Sequence, residues 1–366
     1  MRIVADAEKI AANAAAVVGL CAAHDVEVIG VSKVVRGEPA IVEAMVSGGV
    51  GVVGESRLDN IRRIRDAGIS CEVMLLRLPA LSEADDVVRL AEYSFNSEVE
   101  VVRALSRAAL AAERHHGVLV IVESGDRREG IMPDDAAALC RLVLELPGLD
   151  LAGVATNLGC LCGVLSSAES QAAFARQVAE LEDELGYRFP MVSAGNTADI
   201  QFLMNGQMPA SFTHLRLGEA ILFGIDTVRN IELPGTHLDT FTIYAEVIEV
   251  KDKPSTPDGE VATDAFMRVN TWPDLGVRRR AVLSMGELDV GVQFLRPSLA
   301  GSFIVGASSD HLVLDVTDAA LPVSVGDEIE FVASYTAIAY GWSSCYADCV
   351  VKGGVRLGTG ARGGPV

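Results

Sequence analysis

Val26-Glu-Val-Ile-Gly-Val-Ser-Lys33 is an apolar, largely β-branched run that ends in a lysine, and seven similar runs follow it up to Leu217. Between the runs lie stretches rich in Ala, Leu, Glu and Arg that are long enough for crossover helices. Strands that alternate with helices predict a parallel sheet, and eight of them close a barrel with a filled interior. The predicted strands are Val26–Ser32, Val50–Gly54, Cys71–Leu76, Tyr93–Asn96, Val118–Glu123, Leu151–Asn157, Phe189–Ala194 and Thr213–Leu217.

An open, doubly wound sheet is the alternative for such a pattern, but no Gly-x-Gly-x-x-Gly follows the first strand. After Asp226 the pattern changes to alternating segments such as Thr242–Val250 and Glu328–Val332, with turn residues between them. We therefore predict an α/β protein. A TIM-type (β/α)8 barrel covers residues 1–228, and a mostly antiparallel β domain covers residues 229–366. The glycine-rich tail from Gly353 is expected to be frayed.

Composition and charge limit the partners. The net charge of −20 over 366 residues argues against nucleic acid and anionic membranes. No run of 18 apolar residues predicts a transmembrane helix, and the apolar stretch Ala11–Ala23, interrupted by Asn13, predicts a helix rather than a secretory signal. Seven cysteines without the spacing of a disulfide framework indicate the cytoplasm.

Two cysteine pairs raise the question of a metal. Cys160 and Cys162 are one pair, and Cys345 and Cys349 are the other. Because no histidine lies near either pair in the sequence, buried thiols are the favoured interpretation and no metal site is predicted.

Active sites of such barrels lie at the carboxyl ends of the strands. Lys33 is the one lysine of five that directly follows an apolar strand. A partly desolvated lysine loses its proton more easily, which frees the amine to attack a carbonyl group. A lysine that merely extends its side chain to solvent at a strand end is the alternative.

The end of the seventh strand is suited to a phosphate group. Ser193-Ala-Gly-Asn-Thr197 places a glycine between hydroxyl residues at a helix start, where backbone N–H groups and the Thr197 hydroxyl are donors. Gly218 and Glu219 follow the eighth strand, and barrels often bind phosphate after these two strands. An ordinary helix N-cap is the alternative.

Charged groups in and beside the strands need partners. Arg216 lies inside the last strand, where it has either a functional role or a salt bridge to Glu219 or Glu123. Some of the carboxylates after strands two and five are expected to point into the pocket, where an unpaired one would attract a cationic substrate. The alternative is a solvated loop charge or pairing with a nearby arginine. These carboxylates are Glu55, Glu123, Asp126 and Glu129.

Ordered motifs built on these residues resemble the alanine racemase family of pyridoxal 5′-phosphate (PLP) enzymes, and most of all its ornithine-racemase-like branch. The resemblance covers the chain from residue 1 to Val350. Several motifs in family order are far more specific than any one of them. They are Val31–Gly37, Gly54–Asn60, Glu123–Gly130, Thr156–Cys160, Ala194–Thr197, Leu215–Glu219, Gly306–His311 and Val325–Asp327.

The resemblance implies a fold type III enzyme with PLP as its cofactor. Lys33 would hold PLP through a Schiff base and move the proton on one face of the amino acid. Arg216 would face the pyridine nitrogen and keep it unprotonated, because two positive charges in contact are unfavourable, and this suits reversible proton transfer. The implied cofactor-binding residues are Lys33, Asn157, Ser193, Gly195, Asn196, Thr197, Arg216, Gly218 and Glu219.

The resemblance also implies a reaction and an assembly. Arg128 matches an arginine near the substrate carboxylate, and Ser309 and Asp310 match a segment that reaches the partner subunit's site in a head-to-tail homodimer. We therefore predict a racemase that removes the α-proton of a PLP-bound basic amino acid, ornithine or lysine. A PLP-dependent lyase or decarboxylase on the same fold is one alternative, and a non-catalytic PLP-binding protein is another.

The chain departs from the better-known alanine racemases at several positions. Val34–Gly37 replaces a phosphate-contacting tyrosine, Asn157 replaces a histidine beside the ring, and Ile121 replaces a lysine that can be carbamylated. Phe266 stands where the second catalytic base, a tyrosine, is expected, and phenylalanine cannot move a proton. The titratable candidates for that role are Asp310, ranked first, with His311 and Asp264.

Overall fold

The computed structural model describes residues 1–354, which form two compact units. The barrel unit contains Ala7–Leu238, and the β unit contains Met1–Asp6 together with Asp239–Lys352. The predicted boundary between 228 and 229 therefore falls inside the barrel unit. Residues 1–6, which the sequence analysis placed in the barrel, form a strand of the β unit. Residues 355–366 of the predicted frayed tail lie outside the described residues.

Eight parallel strands close the predicted barrel, so the open doubly wound alternative is excluded. Each strand pairs with the next in chain order, and β9 pairs with β2 through Ile29 and Arg216. The side chains of the inner face, which include Ile29, Met74, Phe95 and Leu119, fill the interior. The barrel strands are β2 (Glu27–Val31), β3 (Val52–Glu55), β4 (Glu72–Leu75), β5 (Tyr93–Asn96), β6 (His116–Ile121), β7 (Leu149–Ala155), β8 (Met191–Asn196) and β9 (His214–Leu217).

Amphipathic helices cover the barrel. In α3 the buried residues Leu58, Ile61 and Ile64 recur every three positions, which is the spacing of one helix face. The predicted helix at Ala11–Ala23 is confirmed as α1, and no helix among residues 1–354 is long and apolar enough to span a membrane. The helices of this unit are α1 (Ala7–Ala22), α2 (Pro39–Ser47), α3 (Leu58–Asp66), α4 (Ala84–Leu90), α5 (Val99–Ala111), α6 (Ala136–Glu145), α7 (Ala168–Leu185), α8 (Ile200–Met204) and α9 (Glu219–Phe223).

The β unit is built on one eight-stranded, mostly antiparallel sheet, as the sequence predicts. The N-terminal strand β1 pairs antiparallel with β12 and parallel with β18. The unit contains β1 (Arg2–Asp6), β12 (Phe241–Pro254), β13 (Val277–Leu283), β14 (Arg296–Pro297), β15 (Phe303–Ala307), β16 (Leu312–Asp315), β17 (Glu328–Val332), α10 (Tyr335–Gly341) and β18 (Asp348–Lys352). A short hairpin of β10 (Ile225–Asp226) and β11 (Ile231–Glu232) belongs to the barrel unit.

Candidate active site

Lys33 projects from the rim that the carboxyl ends of the parallel strands form. It is the first residue of a single 3-10 turn after β2, and its neighbours Ser32, Val34 and Val35 are buried while the lysine side chain is exposed. The expected partial desolvation of the amine is therefore absent in this chain, because the turn directs the side chain outward. Among the described residues the Lys33 Nζ has no hydrogen-bond or salt-bridge partner, so the amine is available for covalent chemistry.

Arg216 is a buried cation in the barrel wall, with 5% of its surface exposed. Its Nη1 donates to the carbonyl oxygen and the hydroxyl of Ser193 at 2.9 and 2.7 Å. Its Nη2 donates to the Thr156 carbonyl oxygen at 2.7 Å and to Asn157 Oδ1 at 3.1 Å. All four acceptors are neutral, and burial lowers the pKa of Arg216 to about 10. The Nε–H group has no partner among residues 1–354, so it is free to donate to a ligand.

The alternative interpretation of Arg216, a salt bridge to Glu219 or Glu123, is not found among the described residues. Glu219 instead accepts a hydrogen bond from the Thr227 hydroxyl at 3.0 Å, and Glu123 accepts one from the Gly125 N–H. Burial raises the pKa of Glu219, while the Thr227 hydrogen bond and the charge of Lys33 oppose that rise. Lys33 is therefore close enough to Glu219 for their charges to interact.

The phosphate loop predicted at Ser193–Thr197 contains a β-bulge. The three steps from Ser193 to Asn196 on β8 match the two steps from His214 to Arg216 on β9, and bulges are common beside active sites. The Thr197 hydroxyl lies 3.5 Å from the Ala220 N–H, which joins the loops after β8 and β9. The ends of these two strands thus meet, as the prediction of a shared phosphate site requires.

Free donors at this meeting point fit a phosphate group. In the described part of the chain the Gly218 N–H has no acceptor, and neither does the buried Thr197 hydroxyl. Asn196 fits the prediction less well, because its N–H donates to Asp199 and its side-chain amide donates to Asn157 and the Leu158 carbonyl. Asn196 therefore shapes the loop, and its donors are not free for a ligand.

Asn157 joins the phosphate loop to Arg216. Its Oδ1 accepts from Arg216 Nη2 at 3.1 Å and from Asn196 Nδ2 at 3.2 Å, and its Nδ2 donates to Cys160 Sγ at 3.0 Å. Cys160 is exposed, as are Cys162 and Cys345, so the prediction of buried thiols is wrong for these three. Cys160 and Cys162 are exposed because the loop after β7 runs along the surface, and Cys345 lies in the exposed segment after α10.

The four acidic groups at the barrel rim all have partners, which contradicts the expectation of an unpaired carboxylate among them. Glu55 is fully buried, accepts from Ser32, Ser56 and Asn60, and has a pKa raised by burial. Asp126 accepts the N–H groups of Leu161 and Cys162 at 2.8 and 3.1 Å. Burial alone would raise the Asp126 pKa, but these bonds lower it. The two remaining pairs are Glu123 with Arg127 and Glu129 with Arg128.

The β unit brings two predicted segments together around a cavity of about 550 Å³. Asp264 and Arg268 line it from one loop, and Ser308 and His311 line it from another. Asp310, next to His311, is exposed, and Ser309 is half-buried.

Asp264 is not suited to donate a proton. Its carboxylate accepts from the N–H groups of Phe266 and Arg268 at 2.9 Å, from Arg268 Nε at 2.8 Å and from Asn270 Nδ2 at 3.0 Å. The Arg268 backbone bond is the largest cause that holds the pKa of Asp264 far below its usual range. Phe266 packs beneath Arg268, whose guanidinium carbon lies 5.1 Å from the ring centre. Asp310 and His311 are therefore the remaining titratable groups of the predicted set.

The sequence analysis missed one group at this site, the buried carboxylate of Asp199. It follows the N-cap residue Asn196 by three positions, which is the spacing of a capping box. That spacing was the available signal. It does not show that the carboxylate is 1% exposed and lies near Arg216.

Known proteins resemble the chain along nearly its whole length. A sequence model described as alanine racemase, N-terminal domain, matches residues 5–226. Lysine racemase of Thermotoga maritima is 35% identical over 354 residues, which cover 96% of this chain and 98% of that protein. Ornithine racemase of Acetoanaerobium sticklandii is 33% identical over 348 residues, with 95% and 98% covered. The alanine racemase structure from Streptomyces lavendulae shares the fold, with a TM-score of 0.75 at 18% identity over 97% of each chain.

The free amine of Lys33 leads to a labelling prediction. Borohydride reduction of the protein with PLP should attach the pyridoxyl group to Lys33, because it is the one of the five lysines that follows a barrel strand at the end where the free donors Thr197 and Gly218 lie. Peptide mass mapping measures the position of the label, and Lys253→Arg is the control that should keep it. Recovery of the label on another lysine would overturn the assignment.

Proposed function

The chain belongs to the alanine racemase family, and on that premise we propose that it interconverts the L and D forms of a basic amino acid. The substrate proposed is ornithine or lysine, and the support is the whole-length similarity to an ornithine racemase and a lysine racemase. Members of the family are PLP-dependent racemases, so the enzyme is an isomerase.

The residues at the barrel rim fit PLP. PLP, when bound, withdraws electrons from the α-carbon of the amino acid, which makes the α-proton removable. The free Lys33 amine would hold its aldehyde carbon, and the Thr197 hydroxyl and the Gly218 N–H would hold its phosphate, with Gly195 and Glu219 beside them. Ser193 and Asn157 would act by fixing Arg216, to which both are hydrogen-bonded.

Arg216 supports racemisation over the alternative reactions. Its four hydrogen bonds hold the guanidinium in place and leave Nε–H as the donor for the pyridine nitrogen. A cation at that position keeps the nitrogen unprotonated. Because decarboxylation benefits from a protonated pyridine, the lyase or decarboxylase alternative is less well supported.

Two residues would move the α-proton, one on each face of the amino acid. Lys33 Nζ would take or return the proton on its own face. On the opposite face we propose Asp310, with His311 as the second choice. Phe266 has no ionisable group, and the Asp264 carboxylate already accepts hydrogen bonds from several donors. Arg128, which is exposed and bonded to Glu129, would bind the substrate carboxylate together with Ser309.

We propose that Asp310 acts on the site of a partner chain in a homodimer. The support is the family pattern, together with the exposed apolar side chains of the loop that shares a cavity with His311. Met267 and Val269 in that loop are each 80% exposed, which is typical of an interaction surface. The seven free thiols support a reducing compartment, and we place the enzyme in the cytoplasm.

A deuterium experiment tests the function and the second base together. The enzyme in D2O should invert ornithine or lysine faster than alanine, with deuterium at the α-carbon, as mass spectrometry and chiral chromatography measure. Asp310→Asn should slow inversion by at least about 100-fold, the usual contribution of a general acid or base. It should still exchange the α-proton of one enantiomer through Lys33.

The control for this experiment is Asp258→Asn, which removes an exposed carboxylate of the β unit and should keep the wild-type rate. Inversion by Asp310→Asn at the wild-type rate would contradict the assignment of the base. Faster turnover of alanine than of either basic amino acid would contradict the substrate.

Mixing two inactive variants tests the dimer. Lys33→Ala and Asp310→Ala chains should regain part of the activity when mixed, because one of the two sites in each hybrid then has both residues intact. Native mass spectrometry confirms that hybrids form. Hybrids that form and yet recover no activity would show that one chain supplies both residues.

A further inference from the structure

The Asp199 carboxylate is buried and hydrogen-bonded to the phosphate loop, Ser193–Thr197. The residue is 1% exposed, and its Oδ2 accepts the Asn196 N–H at 2.9 Å. Its Oδ1 accepts from the Nε2 of Gln171, a buried residue of α7, at 3.1 Å, and the Ser166 side chain also bonds to it. The loop is therefore tied to a helix on the outside of the barrel through one buried carboxylate.

The Asp199 carboxylate leaves no room for a side chain at Gly195. A Cβ atom at position 195 would lie 2.6 Å from Asp199 Oδ2, closer than such atoms approach each other. The backbone φ at Gly195 is not in the left-handed region, so the glycine is required by space rather than by conformation. The carboxylate thus occupies the volume that a side chain would take in the middle of the phosphate loop.

Asp199 is also linked to Arg216 through two side chains, because Asn196, whose N–H donates to Asp199, donates from Nδ2 to Asn157 Oδ1, which accepts from Arg216 Nη2 as well. The guanidinium bonds to neutral oxygens alone and, among the described residues, forms no salt bridge. Of the nearby charges, that of Asp199 acts most strongly to keep Arg216 protonated, against the effect of burial. Burial raises the pKa of Asp199, and the hydrogen bonds from Ser166, Asn196 and Gln171 together with the charge of Arg216 oppose that rise and favour the ionised carboxylate.

We propose that Asp199 is a positioning residue that couples the two ends of the cofactor site. One carboxylate fixes the loop that holds the phosphate and balances the charge of the arginine that faces the ring. The inference rests on the proposed function, since it assumes that this loop and this arginine bind PLP. It assigns to Asp199 no contact with substrate or cofactor.

The test is the affinity for PLP, measured by absorbance and by PLP release from the holoenzyme. Asp199→Asn should raise the Kd of PLP about tenfold or more, which corresponds to about 1.4 kcal/mol. The matched control is Asp226→Asn, because Asp226 is also a fully buried aspartate of the barrel unit, bonded to the Val228 N–H and to Arg229. The control should stay within about twofold of the wild-type Kd. A Kd within that range for folded Asp199→Asn would overturn the proposal.

Two further variants keep the test decisive. If Asp199→Asn does not fold, Gln171→Leu removes one donor to Oδ1 and should weaken PLP binding about threefold; an unchanged Kd would count against the role in the loop. In an Arg216→Met background, Asp199→Asn should raise the Kd by a smaller factor than in the wild-type background, because the charge to be balanced is gone and only the role in the loop is lost. If Asp199→Asn raised the Kd of PLP by the same factor in both backgrounds, the counter-charge role would be overturned.

Binding is measured without an amino acid, so this test is separate from the proposed reaction. A chain that binds PLP with the expected variant effects and racemises nothing would contradict the proposed function alone. A racemase whose Asp199→Asn variant binds PLP normally would contradict this inference alone.

Discussion

A charged guanidinium inside a barrel wall is the constraint on which the site depends. Moving a cation out of water is costly, and the cost is offset when each N–H group finds an acceptor in the correct geometry. Arg216, on β9, meets this requirement at Nη1 and Nη2 with oxygens of β8 and of the residues after β7, and only its Nε–H has no acceptor among residues 1–354. Three strand ends must therefore be in register before the arginine can be buried, so the position of the cation and the shape of the rim are fixed together.

This arrangement explains why the loop Ser193–Thr197 and Arg216 are not independent. Asn157 bonds both to Arg216 and to Asn196, while Asp199 bonds to the loop and balances the arginine. The chemistry follows from the same network. An arginine that is held rigidly and stays charged would disfavour protonation of a pyridine nitrogen facing it, which would suit reversible removal and return of the α-proton rather than loss of the carboxylate.

The barrel could be predicted because each of its strands is recognisable locally, as a short apolar run with a polar end. Lys33, Arg216 and the loop after β8 were found because they lie in or directly after such runs. The sequence did not predict features that depend on distant pairing. The strand Arg2–Asp6 pairs with residues more than 230 positions away, and nothing in its five residues indicates that. The rim carboxylates are paired by backbone N–H groups and arginines whose approach depends on loop conformation. Asp199 has the spacing of an ordinary capping residue until its burial is known, and Asp264 remains a candidate base until its hydrogen-bond donors are known.

The most direct measurement of the central claim is the protonation state of the cofactor nitrogen. In enzyme reconstituted with PLP labelled with 15N in the ring, the nitrogen chemical shift should be that of an unprotonated pyridine. In Arg216→Glu a carboxylate would face the nitrogen and stabilise its protonated form, so the shift should move to that of a pyridinium while racemisation slows. A pyridinium shift in the wild-type enzyme, or a shift and a rate that Arg216→Glu leaves unchanged, would contradict the account.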